Sequence, residues 1–217
     1  WHEMIGQQLG SAYVRVAERA MGLIKIVAFV RVQHALSISN VETSCVATGV
    51  LGIGRNKGGV ALALHLRRVR LCFVCVHLAA HQDKVLQRNA DARAILKQLR
   101  LGSAHFNVPT QFHTVWFGDL NYRIDGFSYD EVIEKIQSRQ LQPLLQEDQL
   151  RKEMAGQRAF GGFKDLLGSR SATLFLPTYK LAVANSAAAI CPHPQRTNSV
   201  RLFSRADPNA GEAGHHH

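Results

Sequence analysis

The sequence predicts a single α/β domain, and three observations carry that expectation. Runs rich in β-branched and apolar residues occupy 23–32, 41–50, 59–66 and 69–78. Segments of helical period occupy 83–99 and the stretch that follows Ser128. A chain of 217 residues with 46% apolar content suffices for one sizeable core and is short for two.

The opening segment places Trp1, Met4, Ile5 and Leu9 on one face at helical spacing, which predicts a short amphipathic helix. LIKIVAFVRV at 23–32 is bounded by Gly22 and a polar stretch and reads as a buried strand. Two further strands flank the glycine-rich turn GIGRNKGG at 52–59, and 69–78 is the most apolar strand of all. Over 83–99, Val85, Leu86, Ala92, Ile95, Leu96 and Leu99 follow helical spacing, with Asp83 as the expected cap. HTVWFGDLNYR at 113–123 is a short apolar strand that breaks into Gly, Asp and Asn, and enzymes place their chemistry at such strand ends. At the next helix Ser128 and Glu131 have capping-box spacing, and Tyr129, Val132, Ile133 and Ile136 line one face. Residues 181–217 show no sustained period and are rich in Ala, Ser, Asn and Pro, so a poorly ordered or loosely docked tail is expected after a domain at 1–180.

A net charge of +10 and a pI near 9.9 favour polyanionic partners. Cys72 and Cys75 sit in an apolar run where free cysteine acts as a small hydrophobe, which suits a reducing compartment. No run reaches the ~18 apolar residues of a membrane span, and no n-region followed by an h-region opens the chain. A cytoplasmic protein that visits membrane surfaces is expected.

On an extended backbone Asp119 and Asn121 point the same way and Arg123 continues the row. A carboxylate to orient water, an amide to hold it and a guanidinium to grip phosphate suit a phosphoester site; an Asp/Asn turn explains the same residues without chemistry. His77 and His81 stand where the most apolar strand leaves the sheet, within reach of a phosphate oxygen, although strand-end histidines are commonly structural. They lack the glutamate and third ligand of a zinc site. The turn at 52–59 brings Arg55 and Lys57 beside accessible backbone N–H groups and fits either an anion cradle or a tight hairpin. It matches neither a Walker A loop nor a dinucleotide fingerprint.

Together these blocks resemble the inositol polyphosphate 5-phosphatases of the endonuclease/exonuclease/phosphatase superfamily. WFGDLNYR at 116–123 fits that family's W-x-G-D-x-N-x-R signature. Thr48-Gly49, RNKGGV at 55–60, VHLAAH at 76–81, Arg88-Asn89, Asp148-Gln149-Leu150, Phe160 with Phe163, and PTYK at 177–180 follow in the family's order over about 1–180.

The resemblance implies a four-layer α/β/β/α sandwich, here incomplete, and removal of a 5-phosphate from phosphoinositide lipids or soluble inositol phosphates. The implied chemistry is magnesium-assisted in-line attack by water. Asp119 would orient or activate that water, Asn121 would contact the scissile phosphate, and His77 would hydrogen-bond it. Asn56 and Lys57 would lie beside the inositol ring, Tyr179 and Lys180 would grip the neighbouring 4-phosphate, and His81 and Arg123 would add substrate contacts. The loop at 34–38, with Leu36 and Ile38, resembles the family's apolar lipid-facing loop. A peripheral membrane surface is therefore the expected partner, and nucleic acid is not.

The family's metal-binding glutamate, in a Q-E motif, and its P-x-W-C-D-R-[IV]-L and S-D-H motifs have no match in this sequence, and Glu3 does not align with the glutamate. Arg55 and Val76 replace a usual glycine and serine. The expectation is a domain truncated at both ends and impaired in turnover. A nuclease of the same superfamily and a non-catalytic binder of anionic lipid are the alternatives.

Overall fold

The computed structural model describes residues 1–49, 54, 56–104 and 106–164, together with the backbone of 165 and of 203–205. Arg55, Tyr179, Lys180, Cys191 and nearly all of the expected tail lie outside the described residues.

The expected layers are present, because each sheet has an apolar face to bury. A helix, α1 (His2–Leu9), leads into β1 (Tyr13–Met21) and β2 (Ile24–Arg31), which pair antiparallel with a bulge at Val16. After a 3-10 segment, Val32–Ser37, the chain forms β3 (Ile38–Ala47), β4 (Gly58–Leu66), β5 (Val69–His77) and β6 (His113–Asp119). Two short strands, β7 (Phe163–Asp165) and β8 (Phe203–Arg205), complete a six-stranded sheet of order β3-β4-β5-β6-β8-β7. The tail expected from residue 181 thus contributes three residues to the sheet, in antiparallel pairing with β6 and β7.

Among the described strands only β5 and β6 pair in parallel, with α2 (Val85–Gln98) and α3 (Val108–Gln111) in the crossover between them. The helices α4 (Tyr129–Gln137), α5 (Leu141–Gln146) and α6 (Gln149–Ala155) follow β6. The capping box of α4 forms as its spacing predicts, Ser128 and Glu131 each bonding the other's backbone N–H. The cap of α2 differs from expectation. Lys84 holds that position without a side-chain bond, while the Asp83 carboxylate pairs with the Lys84 ammonium.

The central strands are covered on both faces, which is why 69–78 reads as nearly continuous apolar sequence. Ala61, Ala63, Cys72, Val74 and Val76 face α2 and the cluster of Trp116, Phe160 and Phe163. Val60, Leu62 and Leu64 face Met21, Ile24 and Ile26 of the small sheet. Three-residue spacing sends Cys72 and Cys75 to opposite faces of β5, as free thiols that burial pushes up to about 12 and about 11. The outer face of the small sheet carries α1, with Gly6 packed at the Phe29 ring and His2 paired to Glu18 at 2.7 Å. No periodicity marks 13–21 as a strand, because that segment is charged and mostly exposed; β1 forms by pairing with β2.

Candidate active site

Strand register assembles the site. Gly58 of β4 lies opposite His77 of β5, and His77 lies opposite Asp119 of β6, so three strand ends make one row with Lys57 at its edge. Two glycines permit the close packing. A Cβ at Gly58 would meet the Val46 carbonyl oxygen at 2.1 Å, and one at Gly118 would meet that of Val76 at 2.3 Å. Both take φ values that favour glycine, +136° and +113°.

In that row the Lys57 Nζ is 2.5 Å from His77 Nε2, which in turn is 3.4 Å from Asp119 Oδ2. A protonated Lys57 can only donate, which favours an unprotonated Nε2, while the approach of the Asp119 carboxylate to that same nitrogen favours a proton on it. Burial, reinforced by the Lys57 charge, lowers the His77 pKa against the pull of Asp119. Burial also lowers that of Lys57 and raises that of Asp119, while their mutual attraction opposes both shifts. The result is a half-buried cation and a carboxylate converging on one imidazole nitrogen, an arrangement suited to receiving a phosphate and managing one proton.

The row of side chains expected along 119, 121 and 123 ends at Asp119. The strand stops there and Asn121 turns into the left-handed region at φ +58°. Asn121 is 2% exposed: its Nδ2 donates to the Leu78 carbonyl, and its Oδ1 accepts from Arg123 Nη2 at 2.8 Å. Its backbone N–H donates to Asp119 Oδ1 at 3.1 Å. Buried Arg123 also donates from Nε to the Asn121 carbonyl. In this structure both residues therefore orient the Asp119 loop.

A second buried network holds the 78–82 loop beside the row. Arg88, 0% exposed, donates to the carbonyls of Ala79, His81 and Gln82 and to Gln149 Oε1. Gln149 also accepts from the Arg123 backbone N–H and donates to Gln82 and Asp125. Asp91 accepts from the Ala79 N–H, and Asn89 links the Tyr122 hydroxyl to Glu153. Sequence reasoning met Arg88 and Asn89 only within the resemblance. A signal was present nonetheless, since Arg88 occupies the apolar stripe of α2 between Val85, Ala92 and Ile95, where a charge demands partners.

Lys57, His77 and Asp119 are thus brought together, with exposed Asn56 adjacent to Lys57 in the chain. His81 is exposed at φ +77° in the loop that Arg88 fixes. The 34–38 loop is at the other end of the sheet. Gly58 pairs at the His77 end of β4 and Leu66 at the Val69 end, eight residues apart in register, or about 26 Å at ~3.3 Å per residue. Ile38 pairs with Leu66, so Leu36 cannot serve as an apolar rim of the catalytic row.

Among the described residues no group of three or more His, Cys, Asp or Glu converges as a metal site. Asp119 is the carboxylate of the row, and a magnesium ion needs several oxygen ligands. The described residues do not by themselves fit that ion. No helix among them is long and apolar enough to cross a membrane.

The profile of the endonuclease/exonuclease/phosphatase family 2 matches residues 1–207. The type II inositol 1,4,5-trisphosphate 5-phosphatase of Mus musculus is 33% identical over 187 residues, which is 83% of this chain and 18% of that protein. Synaptojanin-2 of Rattus norvegicus is 30% identical over 221 residues, 98% of this chain and 14% of that protein. The chain therefore spans less than a fifth of either relative. Among solved structures, the inositol polyphosphate 5-phosphatase domain of SPsynaptojanin, in complex with inositol (1,4)-bisphosphate and calcium ion, matches with a TM-score of 0.76 at 30% identity. That match covers 93% of this chain and 57% of the other.

Proposed function

The chain belongs to the endonuclease/exonuclease/phosphatase family 2, and from that membership we propose that it forms the catalytic part of a phosphomonoesterase removing the 5-phosphate of phosphoinositides or inositol polyphosphates. The observation that carries the reading is the row Lys57, His77 and Asp119 at adjoining strand ends, in a chain similar to a domain solved with an inositol bisphosphate.

Lys57 would pair with a phosphate oxygen, and that negative charge would counter the burial and the Lys57 charge that lower the His77 pKa, so that the imidazole could take a proton and donate to the same group. Asp119 would orient a water and accept its proton as the water oxygen bonds to phosphorus, the phosphorus–inositol oxygen bond breaks and the departing oxygen takes up a proton from solvent. Asn121 and Arg123 would keep that carboxylate aimed; Asn56 and His81 lie at the rim, and Tyr179 and Lys180 are proposed contacts to a neighbouring phosphate. Magnesium is the cation the resemblance implies. The described residues do not supply its ligand set, and no step is assigned to it. A lipid substrate would meet the protein at the His77 end of the sheet. The free cysteines suit a reducing compartment, which favours the cytoplasmic side of the membrane.

Phosphate release from 4,5-bisphosphorylated phosphoinositide, measured with magnesium present, tests the reading. Replacing Asp119 by Asn should lower the rate by ~100-fold or more. Lys57→Gln should weaken binding of soluble inositol 1,4,5-trisphosphate by about tenfold in calorimetry, the effect of losing one charged contact. Measurable turnover that Asp119→Asn leaves unchanged, or release of the 4-phosphate instead, would remove the proposal.

A further inference from the structure

We infer that the edge of the sheet opposite the catalytic row is a docking site for an acidic peptide carrying a large apolar anchor residue. A groove of about 560 Å³ lies there, lined by His34, Leu66, Arg67, Arg68 and Val69. Leu66 and Val69, where the β4–β5 hairpin closes, supply its apolar lining, and His34 comes from the 3-10 segment after β2. Leu36 projects from that segment with 103% relative exposure, and Val32 and Val69 are exposed beside it.

The rim is cationic. Arg67 and Arg68 form the hairpin turn, both exposed, and neither guanidinium has a carboxylate partner among the described residues. Arg67 adopts φ +55°, a conformation that glycine or asparagine enters at less cost. The turn thereby presents two adjacent guanidinium groups at the rim of the groove.

Charge selects the occupant. A second copy of a chain with net charge +10 would be repelled. The chain's own stretch 166–217 is also basic, with Asp207 and Glu212 against Arg170, Lys180, Arg196, Arg201 and Arg205. A bilayer at this edge would hold the catalytic row about 26 Å from its headgroups at ~3.3 Å per residue, and a concave apolar floor suits one inserted side chain better than a flat lipid surface. An acidic segment with one leucine or aromatic residue satisfies both groove and rim. That distance weighs against a bilayer only on the phosphatase reading, whereas the groove and its cationic rim do not rest on it.

A fluorescein-labelled peptide with one leucine flanked by glutamates, followed by fluorescence anisotropy against the full chain, tests it. The double variant Arg67→Asn, Arg68→Gln accepts the turn's backbone conformation and should bind at least about tenfold more weakly; Leu36→Ser, altering a fully exposed side chain, should also weaken binding. Thermal melts of both variants establish that they fold. A peptide with serine in place of leucine should lose about tenfold or more, the worth of one buried aliphatic anchor. No binding, or undiminished binding by the folded arginine variant, would overturn the inference. So would arginine-dependent sedimentation with phosphatidylserine vesicles alongside arginine-independent peptide binding, which would assign the patch to lipid.

Discussion

At the end of β5 a half-buried histidine stands between an ammonium and a carboxylate, and the order of those neighbours determines its proton affinity. Burial and Lys57 act together to lower the His77 pKa, and Asp119 opposes them. The NMR titration midpoint of His77 should therefore fall below its ordinary value of 6.5, should rise in Lys57→Gln and should fall further in Asp119→Asn. The linked stability follows in sign. A group whose folded pKa is depressed contributes stability that is present above its unfolded pKa and is lost as pH falls through the folded value. For His77 that window opens at about pH 6.5 and extends downward. An unchanged midpoint in Lys57→Gln would show that the Lys57 contact has no electrostatic weight.

Among the elements, α2 does more than cover the sheet. Its Arg88 side chain ends in a cluster of carbonyl oxygens from the 79–82 loop and in Gln149 at the start of α6. Burial pushes the guanidinium down to about 10, which still leaves it charged near neutral pH. Replacing it by methionine keeps much of the volume while stranding several buried acceptors, for an expected loss of about 3 kcal/mol in urea unfolding. Turnover should drop further than stability explains, because the loop follows His77 directly and Gln149 holds the Arg123 backbone. A variant with wild-type stability and wild-type rate would show that α2 acts as packing alone.

For the whole molecule, one sheet separates two cores. Leu62 lies wholly buried between the sheets, and Ile95 wholly buried between sheet and helix. Each Leu→Ala or Ile→Ala truncation should cost about 3 kcal/mol. The sheet should let the two losses add within about 0.5 kcal/mol in the double variant, as measured by denaturant unfolding. Marked non-additivity would mean that the cores respond as one. The same layering sets function apart in space, with phosphate chemistry proposed at one end of β4 and peptide docking at the other.

Much of this was legible in local sequence. The strands at 23–32, 59–66 and 69–78, the helix over 83–99 and the Ser128 capping box follow from side-chain period and capping chemistry, which depend on neighbours in the chain. Asp119 and His77 were legible as polar residues at the ends of apolar strands, where a turn or a structural histidine explains them equally well, so the W-x-G-D-x-N-x-R signature had to carry their assignment. Tertiary structure alone decided the pairings that place Lys57 beside His77, the left-handed turn that withdraws Asn121 and Arg123 from the expected row, and the partners of Arg88. It also placed Leu36 at the far edge. Each of these depends on which strands become neighbours and in which direction they run, a property of contacts between residues distant in sequence that no local period encodes.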